Sequence, residues 1–413
     1  MRDFSDPIRT MSPLMIRTPR SLRRRHAFAP SLSPLVPVLL ISIALLPTPT
    51  LTAQTTRFAA FNIWELTREK LDRVDPQGGE GTDPQLRLAA AIIQQVRPDV
   101  LLINEIDHDD GGENASLFVR RYLQVPQRGG EAIDYPHVFF APVNTGVPSG
   151  FDLNKDGAAD GPDDAWGFGK YPGQYGMAVL SRYPIEPDAT RTFREFLWHQ
   201  MPGNLMPDGR EGKPAWYPEA LSKRLRLSSK SHWDVALRIG QRRVRLLASH
   251  PTPPVFDGDE DRNGRRNHDE IRMWADYISG GERAEYLIDD AGRRGGIEPG
   301  VGFIIAGDLN SDPDRGERVA GRPAISQLLD HPMVRDVRPK SRGALAAKRN
   351  VPREQAAVAT SDFGRLDYVL PSRDLEVNAS GVFWPALDEP LADAIGDDRR
   401  SSDHRLVWID VKL

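Results

Sequence analysis

The chain has 413 residues, 39% of them hydrophobic, and carries 54 Lys and Arg against 58 Asp and Glu with no cysteine. That length and apolar content suffice for one large α/β domain or two ordinary ones. The lack of cysteine excludes disulfides, thiolate metal sites and a cysteine nucleophile, and no apolar stretch reaches the roughly 18 residues of a membrane-spanning helix.

The first 53 residues have the pattern of a secretory signal. Residues 1–34 are basic, an apolar run follows at 35–46, and prolines and small residues extend to position 53. This order is typical of a cleaved signal peptide, and the apolar run is too short for an anchor. The remaining chain carries 47 Lys and Arg against 56 Asp and Glu, a net charge of −9, which disfavours non-specific binding to nucleic acid. We therefore expect a secreted or periplasmic monomer with no integral membrane segment after signal cleavage.

Short β-branched and aliphatic runs recur along residues 54–413. They predict strands at 57–61, 99–104, 177–181, 232–239, 244–249, 301–306, 366–370 and 406–411. Apolar residues between 86 and 96 form one stripe of a helix that ends before Pro98, and a second helix is expected over 266–278. Segments 142–172 and 191–230 are interpreted as surface insertions. Strand–helix–strand followed by widely spaced strands predicts a mixed-sheet α/β protein with one catalytic domain.

The ends of the predicted strands carry polar side chains that a core does not need. They are Asn62, Glu105, His250, Asp308, Asn310, Asp403 and His404, and Asp367 lies inside the strand predicted at 366–370. Each one alone has an ordinary explanation as a helix cap, a loop residue or a structural histidine. Taken together, so many strand ends that carry Asn, Asp, Glu or His are hard to attribute to chance. They indicate a functional site.

The first two of these residues suit a metal ion. Glu105 is a hard carboxylate ligand for an oxygen-loving cation such as Mg²⁺ or Mn²⁺. The amide of Asn62 can support the metal or its water ligand without adding charge that would repel a phosphate.

The later residues suit proton transfer and anion binding. Asp308 and Asn310 stand two apart in an extended segment, so both are expected to point toward one water. His250 and His404 can donate hydrogen bonds to phosphoryl oxygens or protonate a leaving oxygen. Asp367 could fix the tautomer of His404.

Seven short segments occur in an order typical of one family. They lie at 61–64, 102–105, 175–184, 249–251, 307–313, 366–369 and 402–404. The set resembles the motifs of the endonuclease/exonuclease/phosphatase superfamily, the DNase-I-like fold, over about residues 56–412, and the stretch 228–235 resembles secreted bacterial members. The resemblance implies a four-layer α/β/β/α sandwich of two mixed β-sheets flanked by helices, with the site at one rim.

The resemblance also implies roles for individual residues. It implies a divalent cation on Asn62 and Glu105, with Asp403 counted among the metal residues. It further implies that Asp308 and Asn310 position the nucleophilic water, and that His404, with Asp367 or Asp403, contacts the phosphate. His250 resembles the second histidine of the DNase I and sphingomyelinase branches, and Asn104 stands where Gln is frequent.

Two Asp- and Asn-rich segments have the spacing of calcium loops. The first has Asp259, Asp261, Asn263 and Glu270 at EF-hand positions, and the second is a near-match with Asp152, Asn154, Asp156 and Asp160. Such clusters are also ordinary solvated turns, so structural Ca²⁺ and a plain turn both stay open for each segment.

These observations predict a secreted, Mg²⁺- or Mn²⁺-dependent phosphoesterase that hydrolyses a phosphodiester by in-line attack of water, with nucleic acid as the first substrate. The acidic charge favours a second possibility, a sphingomyelinase-like lipid-headgroup or small-molecule phosphatase. An exposed aromatic hairpin would favour a membrane substrate, and Trp216–Tyr217 or Phe383–Trp384 could form one, although core packing is the more ordinary role for both pairs. A third possibility, from another class, is a calcium-stabilised, non-catalytic binding protein on the same fold.

Overall fold

The computed structural model describes residues 54–209, 214–347, 351–396 and 399–413; the predicted signal, residues 1–53, lies outside them. The strands in the described residues are β1 (Thr55–Leu66), β2 (Val100–Ile106), β3 (His137–Phe139), β4 (Gly176–Ser181), β5 (Arg191–Thr192), β6 (His232–Ile239), β7 (Arg242–Ser249), β8 (Gly302–Asp308), β9 (Arg318–Val319), β10 (Arg322–Pro323), β11 (Asp367–Pro371), β12 (Glu376–Val382) and β13 (Val407–Lys412). The α-helices there are α1 (Arg68–Leu71), α2 (Pro84–Val96), α3 (Glu113–Phe118), α4 (Glu219–Ser222), α5 (Arg262–Ser279), α6 (Ser326–Leu329), α7 (Arg342–Ala347) and α8 (Arg353–Ala357).

The longer strands form two mixed sheets. The six-stranded sheet has the order β12-β13-β1-β2-β4-β3 and the five-stranded sheet the order β11-β8-β7-β6-β5. Strands β1 and β2 are parallel, as are β7 and β8, and the other neighbours in these sheets are antiparallel. Each predicted strand corresponds to one of these, whereas the polar strand β12 and the short strands β3 and β5 escaped the sequence analysis.

Three apolar clusters separate four layers. Because side chains alternate along a strand, Phe58 of β1 faces the cluster between the sheets and Ala59 faces the cluster under α2 and α3. On the far side, Trp274 of α5 packs with Leu247 and Ile305 of the five-stranded sheet. The four-layer α/β/β/α sandwich is therefore confirmed.

The two long helices begin and end where local sequence dictates. Asp83 caps α2 by accepting hydrogen bonds from the backbone of Gln85 and Leu86, Pro84 occupies the first turn, and Arg97 ends the helix in a left-handed conformation. Helix α5 buries Ile271, Trp274 and Ile278 on one side and is four residues longer at its start than predicted. None of the helices in the described ranges combines the length and hydropathy needed to cross a bilayer.

The segments 142–172 and 191–230, which the sequence predicts to be surface insertions, also contribute side chains to the core. Their backbone is mostly irregular, but Trp166, Phe193 and Trp198 are buried in the cluster beneath α5. The Asn144 side chain donates to the Ser228 carbonyl at 2.8 Å, joining the two segments. They pack inward because each carries large apolar residues between its polar turns.

Candidate active site

Strand ends from both sheets bring the predicted residues to one edge of the sandwich. In the six-stranded sheet, Asn62 of β1 pairs with Asn104 of β2, which places Glu105 beside it. In the five-stranded sheet, Asp308 at the end of β8 pairs with Asp367 at the start of β11. The site therefore lies across the boundary between the two sheets.

Asn62 joins two acids from different sheets. Its Nδ2 donates to Glu105 Oε1 at 3.0 Å and to Asp308 Oδ2 at 3.1 Å. Its Oδ1 is buried without a hydrogen-bond partner in the described residues. Burial raises the pKa of both carboxyl groups, and the hydrogen bonds from Asn62 only partly offset this effect.

Asn104 supplies a second link between the sheets. Its Oδ1 accepts a hydrogen bond from the backbone of Asp308 at 3.1 Å, and the residue is fully buried. The sequence analysis noted Asn104 only as a departure from the frequent Gln. Its shorter side chain holds the backbone that carries Asp308.

Glu105 is presented by an irregularity in β2. The pairing register of β2 shifts between Asn104 and Ile106, and Glu105 has a φ of 68°. A left-handed conformation is rare for a non-glycine residue within a strand and is often associated with functional sites. The backbone N–H of Glu65 donates to Glu105 Oε2 at 3.1 Å and fixes the carboxylate in this position.

His404 lies between two buried carboxylates. Its Nδ1 is 2.8 Å from Asp367 Oδ2 and its Nε2 is 3.6 Å from Asp308 Oδ2, and ligand atoms of the three residues lie within 4.8 Å of one another. Burial alone would lower the pKa of His404, but Asp367 and Asp308 outweigh it and raise that pKa well above its usual value. The contact with Asp367 orients the imidazole, and both carboxylates favour its protonated form.

His250 follows the end of β7 and approaches the same carboxylate. Its Nε2 is 3.4 Å from Asp308 Oδ2. Burial first, and then the charges of Lys230 and His404, lower the pKa of His250 well below its usual value. The surroundings of the two histidines therefore shift their pKa values in opposite directions, upward for His404 and downward for His250.

The geometry around Asp308 corrects one sequence expectation. Asn310 was expected to continue an extended segment and point alongside Asp308, but its φ of 52° turns the chain after β8 ends. Its backbone N–H donates to Asp308 Oδ1 at 3.0 Å, and its Nδ2 donates to the Pro251 carbonyl at 3.1 Å. Asn310 thus holds Asp308 through its main chain. Gly307 allows the close approach of β7 and β8, since a Cβ there would lie 2.0 Å from the Ser249 carbonyl oxygen.

Asp403 lies at the margin of the site. Its Oδ2 is 3.7 Å from Arg399 Nε, and within the described residues it makes no hydrogen bond to Asn62 or Glu105. Its negative charge nevertheless contributes to the raised pKa values of Glu105 and His404. Ser402, which the sequence analysis did not select, donates to the Asn62 carbonyl at 2.7 Å and accepts from the His404 backbone at 3.1 Å.

Helix α5 contributes a buried polar face that the sequence analysis missed. Asn267 donates to the carbonyls of Thr252 and Leu309 at 2.8 and 3.1 Å. Glu270 accepts from the backbone of Ser229 at 2.7 Å and of Thr252 at 2.6 Å. These bonds hold three loops that lead to or follow site residues. The only sequence signal was the presence of Asn and Glu among the inward positions of an amphipathic helix.

The first predicted calcium loop does not form. Residues from Arg262 onward are helical, so Asn263 and Glu270 stand on α5 and not in a loop with Asp259. Glu270 is buried, with its carboxylate occupied by backbone donors. The EF-hand geometry expected at 259–270 is therefore wrong, because α5 already begins at Arg262 and takes up most of the loop positions.

The second predicted loop is an exposed turn. The backbone of Asp156 donates to Asp152 Oδ1 at 3.2 Å and to Asn154 Oδ1 at 3.1 Å, and Gly157 donates to Asp152 Oδ2 at 3.0 Å. Asp160 follows as an exposed residue. These bonds are those of ordinary Asx turns, and calcium binding there stays a prediction.

The residues of the site fit a hard divalent cation. Glu105 offers a carboxylate, and the buried Asn62 Oδ1 is an amide oxygen without another partner in the part of the chain that is described. Oxygen donors of this kind are those that Mg²⁺ and Mn²⁺ prefer. Asp308, Asp367 and His404 are instead engaged with one another, which suits proton handling and anion contact.

Comparisons with known proteins agree with this architecture. The endonuclease/exonuclease/phosphatase family matches residues 59–404, whereas no curated protein matches the chain significantly. Similar solved structures include an endonuclease/exonuclease/phosphatase from Beutenbergia cavernae, at 18% identity over 87% of this chain and 72% of that one with a TM-score of 0.48. A family protein from Leptotrichia buccalis has 13% identity over 87% and 100% with a TM-score of 0.44.

Beta toxin from Staphylococcus aureus, in a structure with bound magnesium ions, has 14% identity over 86% of this chain and 99% of that one with a TM-score of 0.41. Identities and TM-scores this low say nothing about activity. The family match, by contrast, covers most of the chain and runs from strand β1 to His404. The chain belongs to the endonuclease/exonuclease/phosphatase family.

Proposed function

We propose that the protein is a divalent-metal-dependent phosphodiesterase that hydrolyses its substrate by in-line attack of water, with nucleic acid as the first substrate. The observation that supports this proposal is the convergence of Asn62, Glu105, Asp308 and the Asp367–His404 pair at one edge of the sandwich. Hydrogen bonds between the sheets account for part of this arrangement, but joining two sheets does not require a buried imidazole between two carboxylates. The chemistry of these groups matches that needed to cleave a phosphate ester.

Asp308 is the proton acceptor in this proposal. Burial raises its pKa, which makes the carboxylate a stronger base toward a water molecule. Hydrogen bonds from Asn62, from the backbone of Asn310 and to Asn104 fix its orientation. A fixed base needs little reorganisation when the water attacks.

His404 is the donor to the phosphoryl group. Asp367 and Asp308 raise the pKa of His404 and so favour the protonated, donating form. Hydrogen bonding to a developing negative charge is worth roughly 10²–10³-fold in rate. Proton transfer and hydrogen bonding do not account for the whole rate. Phosphate ester hydrolysis needs its barrier lowered by on the order of 15–20 kcal/mol, and a general base adds only roughly 10²–10⁴-fold. Glu105 and Asn62 would hold a cation that neutralises charge on the phosphoryl oxygens when bound.

Exposed aromatic side chains favour a lipid-headgroup substrate as the second candidate. Phe256, in the loop after His250, is 87% exposed and Phe363, in the loop before Asp367, is 70% exposed. By contrast, the aromatic pairs named from sequence pack inward, since Tyr217 and Trp384 are buried. Aromatic residues at the rim of a site can insert into a membrane interface or stack on bases.

A substrate panel tests the proposal. Purified protein is assayed with Mg²⁺ or Mn²⁺ and with EDTA on plasmid DNA, RNA, sphingomyelin vesicles, bis-p-nitrophenyl phosphate and the monoester. Cleavage of a diester that EDTA abolishes, and that His404→Ala and Asp308→Ala reduce by at least about 100-fold, supports the proposal. Full activity in those variants, or no hydrolysis by the wild type, overturns it and favours a non-catalytic binding protein.

The proposal extends to location and assembly. The basic and apolar pattern of residues 1–53 supports export with cleavage of this segment. We further propose that the exported enzyme is a single-domain monomer. N-terminal sequencing of protein recovered from the medium or periplasm, together with light scattering, tests both statements. Retention of residues 1–53 on protein found only in the cytoplasm would contradict export, and a dimer mass would contradict the monomer.

A further inference from the structure

Lys230 is a buried lysine whose ammonium group has no partner among the residues that the structure describes. Only 6% of the residue is exposed, and its ammonium makes no hydrogen bond or ion pair to any described residue. Lysine is almost never buried unless it is paired, because leaving an ammonium group without a counter-ion in the interior is costly. A buried, unpaired lysine therefore indicates that the group serves something outside the protein.

The sheet register places Lys230 at the edge that holds the site. His232 at the start of β6 pairs with Ser249 at the end of β7, so the residues just before β6 lie beside His250. The backbone N–H of Asn144 donates to the Lys230 carbonyl at 2.9 Å and fixes the chain there. Lys230 thus reaches the site from the five-stranded sheet, on the side of His250.

The electrostatic neighbours of Lys230 are residues of the site. Burial lowers the pKa of Lys230, and the charges of Glu270, Glu105 and Asp308 oppose that shift. In turn, the charge of Lys230 contributes to the lowered pKa of His250. The ammonium group of Lys230 therefore interacts electrostatically with the predicted metal ligand, Glu105, and with the predicted base, Asp308, but forms an ion pair with neither.

Glu270 holds the backbone around Lys230 but leaves its ammonium free. The Glu270 carboxylate accepts from Ser229 N at 2.7 Å, from Ser229 Oγ at 3.1 Å and from Thr252 N at 2.6 Å. Those three bonds satisfy the carboxylate, so it needs no ion pair with Lys230. A cation on a fixed backbone with unused donors is preorganised to bind an incoming anion.

We propose that the Lys230 ammonium binds a non-bridging oxygen of the substrate's phosphoryl group and stabilises the negative charge that develops there, an assignment that rests on the proposed phosphoesterase function. Lys230 is then a catalytic residue that contacts substrate, and Glu270 is a positioning residue that acts through it. The ligand class is an anionic phosphate ester. Lysine serves this purpose as a compact point charge with three donors.

The test compares Lys230→Met with a matched control, Lys223→Met. Lys223 lies in the same segment, but its side chain is 63% exposed and forms a surface ion pair with Glu219. We expect Lys230→Met to lower kcat/KM for bis-p-nitrophenyl phosphate by roughly 10²–10³-fold and to raise the inhibition constant of inorganic phosphate by at least about tenfold. The melting temperature measured in EDTA should stay unchanged or rise, because an unpaired buried charge is removed. Lys223→Met should leave all three values unchanged.

The outcomes separate this assignment from the proposed function. If the activity of Lys230→Met is within about threefold of wild type, the phosphate-binding role of Lys230 is overturned. A fall in melting temperature with an unchanged inhibition constant for phosphate also overturns it, because that result would indicate a structural role. If the wild type hydrolyses no ester, the proposed function fails. The anion site then still stands if inorganic phosphate raises the melting temperature of the wild type but not of Lys230→Met, and it fails if phosphate stabilises both proteins or neither.

Discussion

Glu270→Gln removes one oxygen from the carboxylate that supports two loops of the site. In the wild type, Oε1 accepts from Ser229 N and Oγ at 2.7 and 3.1 Å, and Oε2 accepts from Thr252 N at 2.6 Å. Glutamine keeps one acceptor oxygen, so its amide NH₂ must face a backbone N–H. The lost bond to a charged acceptor costs about 1.5–3 kcal/mol, and the buried donor left unsatisfied adds about 1–3 kcal/mol. We expect the free energy of unfolding to fall by roughly 3–5 kcal/mol.

Urea unfolding followed by circular dichroism, in EDTA and at neutral pH, measures this change. Glu219→Gln is the control, since that side chain is 83% exposed and pairs only with Lys223, and it should change stability by less than about 0.5 kcal/mol. A loss under about 1 kcal/mol for Glu270→Gln would refute the support assigned to this carboxylate. Stabilisation by Ca²⁺ of the wild type but not of the variant would restore Glu270 as a calcium ligand.

Three further results are expected. Asp367→Asn should lower kcat for the diester by roughly 10²–10⁴-fold, because His404 loses the anion that holds its charge and orientation; steady-state kinetics with an unchanged kcat would contradict this. Glu105→Gln should abolish the rise in melting temperature that Mg²⁺ gives the wild type, as thermal scans with and without Mg²⁺ will show; an equal rise would place the cation elsewhere. The pKa of His250 is lowered in the folded state. As the pH falls, the histidine of the unfolded chain is therefore protonated before that of the folded protein, and the free energy of unfolding decreases below about pH 6.5. His250→Asn should reduce this slope by up to about 1.4 kcal/mol per pH unit between about pH 5 and 7, measured by urea unfolding in EDTA; an unchanged slope would contradict it.

The strands and their polar ends were accessible from the sequence because both depend on local patterns. Runs such as those at 232–239 and 244–249 alternate or cluster apolar residues, and the structure has strands there. The polar residue that follows each run marks a strand end, and parallel pairing of β1 with β2 and of β7 with β8 collects such ends at one edge. Asn62, Glu105 and Asp308 were therefore identifiable before any geometry, and His404 was identifiable as a polar residue just before the strand predicted at 406–411.

The other features of the site could not be predicted, because they depend on tertiary contacts and backbone conformations that leave no local pattern in the sequence. Glu105 and Asn310 have positive φ values. Because neither residue is a glycine, the sequence gives no sign of this conformation, which depends on the neighbouring strands. The partners of Glu270 lie 41 and 18 residues away in sequence, which is why its spacing could be mistaken for a calcium loop. Lys230 was overlooked because burial, which makes a lysine unusual, is not visible in a basic segment.

The hydrogen bonds of Asn62 and Asn104 to Asp308 join the two halves of the sandwich at the site itself. Neither sheet alone contains a base, an acid for a cation and an oriented imidazole. A nascent or partly digested chain in which only one sheet has formed therefore carries an incomplete set of site residues. If the protein is the phosphodiesterase proposed above, its activity would therefore require both sheets to be folded and joined at the site.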